Sequence, residues 1–283
     1  MRLPVDPASR TALFTVGGLL LVLALLLLLF RPSGEEARGI GLSRVLQEEE
    51  RWRQQLWVEG EHINELDLWQ IQETLAIRVG LSTSGLKGLI RRAANAKDAG
   101  YRAHGYLLAG NTLKAAEIAG QIAKWHGKQP AAAWSDQAFW LQRRADALWR
   151  GTLEDPSPVL QQALALVEQG ASAENVGDSA AWRRVIWREL AAWHWARANF
   201  RPEDPRAEIQ QGLKALEQWL SSQDVAMTPA EQTAVHRLRG RFLLRRAAME
   251  VAPADSSVWQ SAAAAFEQAL RTASRAEFPS VWA

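Results

Sequence analysis

The chain of 283 residues carries 33 Lys and Arg against 31 Asp and Glu, a formal net charge of +2, and 48% of it is apolar. That near-balance argues against a general nucleic-acid surface, despite a sequence pI near 9.1. Cysteine is absent, which excludes disulfides, thiolate metal sites and a cysteine nucleophile.

The first element is Thr11 to Phe30, TALFTVGGLLLVLALLLLLF: twenty uncharged residues, ten of them leucine. At about 1.5 Å per residue it spans roughly 30 Å, the thickness of a bilayer's hydrocarbon core. The alternative, a cleaved secretory signal, fits less well. The run exceeds an ordinary signal core, and RPSGEEARG after it lacks good small-residue spacing. The expectation is therefore an uncleaved single-pass anchor. Arg2 and Arg10 on one flank nearly balance Arg31, Arg38 and Arg44 on the other. A short N-terminal tail before a leucine-rich helix favours the N-terminus inside. Arginine outnumbers lysine 27 to 6, which hints at a GC-rich bacterial genome. The corresponding location is a bacterial inner membrane with the C-terminal domain in the periplasm. Gly17-Gly18 forms no Gly-x-x-x-Gly, so no dimerisation through this segment is expected.

The expected organisation is a tail over 1–10, the anchor over 11–30, a linker over 31–43, a membrane-proximal helical segment over 44–80 and a helical repeat domain over 81–283. Without the first thirty residues, which hold Arg2, Asp6 and Arg10, 31 basic residues face 30 acidic ones. Arg44 to Val79 has apolar residues at helical spacing (Trp52, Leu56, Ile63; Leu68, Ile71, Leu75), with Gly60 as a potential break. GLSTSG over Gly80 to Gly85 interrupts it with several hydroxyl caps. Amphipathic helices follow one another: Leu86 to Leu108, Leu113 to Trp125, one opened by Ser135 and ending at Arg150-Gly151, Val159 to Glu168, Asp178 to Asn199, and Asp204-Pro205 to Leu220. Thr228-Pro229-Ala230-Glu231 is a capping box with proline at the first helical position. Pro253 stops that helix, and Ser256 or Ser257 opens the last, to about Ser274. No stretch alternates like a strand between hairpin turns. The fold class is all-α.

AGYRAHGYLLAGNTLKAAEIAGQIAKWHG, Ala99 to Gly127, resembles a tetratricopeptide (TPR) repeat. Tyr106, Gly110-Asn111, Ala115 and Ala119 stand where that family places its aromatic, its turn and its small packing residues. Arg102 and Ala103 depart from it, and the closing proline is displaced to Pro130. WLQRRADALWRG…VLQQALAL with Gly151, and SVWQSAAAAFEQALRTA with Ala262, Phe266 and Ala269, are looser matches. The resemblance implies an α-solenoid of antiparallel helix hairpins that binds peptides or helices on a concave face.

Catalytic signals are weak. GLSTSGLKG departs from a phosphate loop, since Leu86 and Gly88 stand where the motif needs other residues and a helix precedes it. Glu59 and His62 form one Glu-x-x-His without the second copy that a di-iron bundle needs. His104, His126, His194 and His236 form no zinc spacing. No Gly-x-Ser-x-Gly elbow occurs. No cofactor, metal or small-molecule substrate is indicated.

Two stretches favour binding. In DSAAWRRVIWRELAAWHWARANF, Trp182, Val185, Ile186, Trp193 and Ala196 share one arc. Trp187 and Trp195 fall on another with Arg183, Arg184, Arg188 and His194. Either both arcs are buried between neighbouring helices, or the second is a Trp/Arg partner surface. In VHRLRGRFLLRR, Arg237, Arg241 and Arg245 form a stripe suited to an acidic partner or lipid headgroups, or simply a solvated face paired with glutamates. PSVWA at the C-terminus either caps the last helix pair or enters a partner's groove. The expected function is a membrane-anchored, non-catalytic scaffold or adaptor that binds another protein in an envelope, secretion or chaperone assembly. The alternatives are a structural subunit of a permanent membrane complex, and an enzyme whose site joins residues distant in sequence.

Overall fold

A computed structural model describes residues 41–129, 134–152, 154–170, 176–200, 205–221, 227–249 and 256–273. Among the described residues there are eleven α-helices, one 3-10 turn and no strand. The helices are α1 (Leu42–Glu59), α2 (Leu68–Val79), α3 (Thr83–Ala94), α4 (Ala99–Leu108), α5 (Thr112–His126), α6 (Trp134–Thr152), α7 (Ser157–Gly170), α8 (Val176–Phe200), α9 (Pro205–Ser221), α10 (Pro229–Met249) and α11 (Ser256–Thr272); the 3-10 turn, Ile63–Glu65, lies between α1 and α2. The fold is all-α.

The expectation of a single-pass membrane protein is corrected here. Among the described residues no helix is long and apolar enough to cross a membrane. Charged residues interrupt every one of these helices, so none offers about twenty consecutive apolar residues. The stretch on which that expectation rested, Thr11 to Phe30, lies outside the described residues, as do the tail over 1–10, Pro130, Pro253 and the PSVWA terminus.

The potential break at Gly60 is present, and one further helix boundary differs from the sequence reading. Arg44 to Val79 is divided at Gly60, whose φ of 77° is left-handed and closes α1 with its N–H on the Trp57 carbonyl. Only glycine takes this conformation without strain. Leu86 to Leu108 is likewise two helices. The Asp98 carboxylate accepts from the Tyr101 N–H at 2.8 Å and starts α4 afresh. Ser82 opens α3 in the same way on the Gly85 N–H at 3.1 Å, and Asn111 opens α5 on Lys114. The Thr228–Glu231 capping box is present: the Glu231 N–H donates to Thr228 Oγ1 at 3.2 Å, and the Thr228 N–H donates to Glu231 Oε2 at 2.8 Å.

Each helix packs against the one before it and the one after it, from α1 through to α11. Small residues bring them close. Gly105 of α4 lies so near the end of α3 that a Cβ there would stand 2.3 Å from the Ala94 nitrogen. The core has two main parts. Leu42, Val45, Trp52 and Leu56 of α1 pack with Ile71, Leu75, Leu86 and Ile90 of α2 and α3. The other end of α1, Trp57 and Val58, enters the larger cluster formed by α5 to α10. One helix therefore belongs to both cores, and it also meets α10, far away in sequence.

A methyl group at Gly105 has nowhere to go, so Gly105→Ala is expected to destabilise by about 1–3 kcal/mol. Gly88, whose added Cβ would meet only the Arg92 guanidinium at 3.8 Å, is the internal control. Gly88→Ala is expected to stabilise by about 0.5–1 kcal/mol through helix propensity. Urea midpoints moving in opposite directions are the required result.

Candidate functional site: a buried charge cluster around the first helix

The densest concentration of chemistry lies where α1 and the 3-10 turn meet α6, α8 and α10. Arg53 sits on the apolar side of α1, between Trp52 and Leu56, and is 2% exposed. Its guanidinium forms two hydrogen bonds to Asp146 of α6, at 3.1 and 3.0 Å. It also lies 3.6 Å from Glu49 and 3.9 Å from Glu189 of α8. Such a fork matches the planar geometry of both groups. Asp146 also accepts from Asn64 Nδ2 at 3.1 Å and from Gln142 and Arg143. Arg150 bridges Asn64 and Glu49, reaching the latter at 2.7 Å. His62 Nε2 meets Glu189 Oε2 at 2.7 Å, and its ring stacks on Trp149 at 4.2 Å. Arg188 donates to the other Glu189 oxygen at 3.0 Å.

Removal from water costs each of these charges several kcal/mol, so they persist only as a mutually paired set. Burial alone would raise the Glu49 carboxyl, but Arg150, Arg53 and Arg143 outweigh it and hold it at about 2. Burial likewise opposes ionisation of Glu189, yet His62, Arg188 and Arg53 keep it well below the usual carboxylate range. For His104 of α4 the opposing influence of Glu49 and Asp146 is too small to compensate. Burial, with Arg143 adding to it, brings its imidazole down to about 4.

The residues singled out in sequence are distributed around this cluster. Arg184 and Arg188 of α8 are buried. Trp187 and Trp195 are half-buried against the larger core. Trp195 meets Phe242 of α10 edge-on at 5.2 Å, and Arg241 lies 5.9 Å from its ring centre. Arg237 donates to the Val58 carbonyl at 3.0 Å, and Arg241 donates to the Gly60 carbonyl. These are the unsatisfied acceptors that end α1, so two arginines of the stripe close a helix of their own chain. Arg245 is half-buried farther along α10. The structure thus brings Trp195 and Arg241 together and directs Arg188 to Glu189 instead. Glu59 and His62 part company: Glu59 accepts from Gln55 at 3.1 Å, while His62 belongs to Glu189.

The sequence reading did not single out Glu49, Arg53, Asn64, Asp146, Arg150 or Glu189. A signal was available for three of them. Arg53, Asp146 and Glu189 each interrupt an apolar face, flanked by Trp52 and Leu56, by Ala145 and Trp149, and by Ile186 and Trp193. Among the described residues no group of three or more His, Asp or Glu is placed to hold a metal ion. The carboxylates of the cluster are each committed to a guanidinium, an arrangement that fixes helices relative to one another. No protein-family model matches the chain, and no curated protein or solved structure does.

Acid should loosen the fold in two stages. His104 has a folded pKa near 4, below its ordinary 6.5. The unfolded chain therefore binds this proton first, and stability falls as pH drops from 6.5 to 4. Glu49, held at about 2 against 4.5, contributes stability that is full above 4.5 and lost as pH falls toward 2. Glu189 acts in the same direction. Urea midpoints measured from pH 7.5 to 3 should decline through both windows, with His104→Phe flattening the upper one. A midpoint constant between pH 6.5 and 4.5 in the parent contradicts this account.

Arg53→Met leaves Asp146 and Glu189 buried with less compensation and should cost about 3–5 kcal/mol. In a double-mutant cycle with Asp146→Leu, the coupling should be about 1–3 kcal/mol. Additive losses are the opposing result.

Proposed function

We propose that the chain is a non-catalytic, protein-binding scaffold built as a TPR-like solenoid of helix hairpins. The TPR-like stretch Ala99 to Gly127 coincides with the consecutive helices α4 and α5, with Gly105, Ala115 and Ala119 all buried. α6, α8 and α10, every second helix, turn side chains toward α1 through Asp146, Glu189 and the Arg237–Arg241 pair. In this reading the inward side is filled by α1, so a partner has to dock elsewhere.

The observation that carries the reading is the set of large apolar side chains left in solvent on α2 and α5. Ile77 is 73% exposed, Leu113 62%, Trp69 61% and Trp125 58%, in a chain that buries Trp52, Trp57, Trp149, Trp193 and Trp219. Trp held at a surface in this way supplies an anchor of protein recognition.

A photo-crosslinking residue at Trp125 or Ile77 of the full chain, irradiated in the host cells, tests the reading. Adducts of discrete mass, stronger than those from the exposed polar position Gln54, are the expected outcome. Equal background from all three positions overturns it.

A further inference from the structure

We infer that the groove between α5 and α6 is the docking site for an acidic amphipathic helix of the partner, an inference that rests on the scaffold reading and names its ligand. The groove consists of two adjoining hollows of ≈ 350 and ≈ 420 Å³ that share Gly120, Lys124 and Arg144. Its α5 side has Ala116, Gly120, Ala123 and Gly127 at steps of four, three and four, a single helical row without bulk. Its α6 side presents Gln137, Leu141, Arg144 and Leu148 at the same steps. The α6 ridge lies along this row, with Arg144 against Gly120 and Gln137 against Gly127, and the hollows left open beside the packed pair accept side chains of a third helix. Leu113 stands exposed at one end.

Charge decides the occupant. Lys124, Lys128 and Arg144 all line this groove. Unlike the arginines of the buried cluster, they make no ion pair among the described residues. The groove's carboxylate, Glu117, is already engaged by Lys114 at 3.7 Å and Gln121 at 3.2 Å. Three uncompensated cations along an apolar trough complement a helix with apolar side chains on one face and Asp or Glu flanking them. A basic or neutral helix gains no such partner.

The probe is a fluorescein-labelled peptide of about eighteen residues, long enough to hold helix, with Leu at i, i+4 and i+7 and Glu on both flanks. Its counterpart has Lys for Glu. Fluorescence anisotropy with the full-length protein should show saturable binding of the acidic peptide and none of the basic one. Lys124→Glu with Lys128→Glu, both exposed, should weaken binding at least about tenfold. Arg91→Glu with Arg92→Glu, an equal charge change on exposed positions of α3, should leave it unaltered. Equal weakening by the two pairs, or no saturable binding, overturns the inference. Adducts from Trp125 or Ile77 that persist in that case leave the scaffold reading standing with a differently charged ligand; loss of both removes the two together.

Discussion

The bidentate contact between Arg53 and Asp146 is the constraint on which the rest of this structure depends. It is buried and spans 93 residues of sequence, and it joins an N-terminal helix to the middle of a stack whose other contacts are mostly between sequence neighbours. A stack of that kind has no intrinsic reason to fix where its first helix lies. Hydrophobic burial of Trp57 and Val58 supplies attraction but little direction. The planar fork of Arg53, with Glu189 and Glu49 on its other sides, supplies direction, because only one placement of α1 leaves no charge unpaired.

Trp57 shows how the two kinds of force cooperate. Its ring lies 5.5 Å from that of Trp219 in α9, so the apolar side of α1 reaches the far half of the molecule. One turn away, the backbone of α1 ends at Gly60, where Arg237 and Arg241 take up the final carbonyls. A side chain at Gly60 would meet the Arg241 guanidinium at 2.6 Å. The terminus is therefore gripped by aromatic packing, by ion pairs and by carbonyl capping at once. Burial makes each polar contact stronger and each unpaired group costlier.

The fold class was legible from residues alone because apolar spacing, capping side chains and glycine stops all pointed the same way along most of the chain. The boundary that was missed has a local cause: Asp98 was a good cap hidden inside a continuous apolar pattern, whereas Gly60 was visible as a potential break. The charge cluster was harder. Glu49, Asn64 and Arg150 look like ordinary surface residues on their own helices, and only tertiary contact over 86 to 101 residues makes them a set. For α8 two readings stayed open, both arcs buried or the second a Trp/Arg partner surface. The helix lies between α7 and α9 and also touches α6, so tryptophans on both arcs find core to pack against.

The joining of Val58 to Arg237 spans 179 residues, and this has a consequence for how the protein is made. Chains emerge from the ribosome N-terminus first, at roughly 5–20 residues per second. α1 therefore leaves the ribosome roughly ten to forty seconds before the helix that closes its end exists. During that interval α2 and α3 can cover Leu42, Val45, Trp52 and Leu56, but Trp57 and the carbonyls at the end of α1 wait. The local stack can form as it is synthesised, while a late step of assembly returns to α1, so the fold closes only when the chain is made at least through α10.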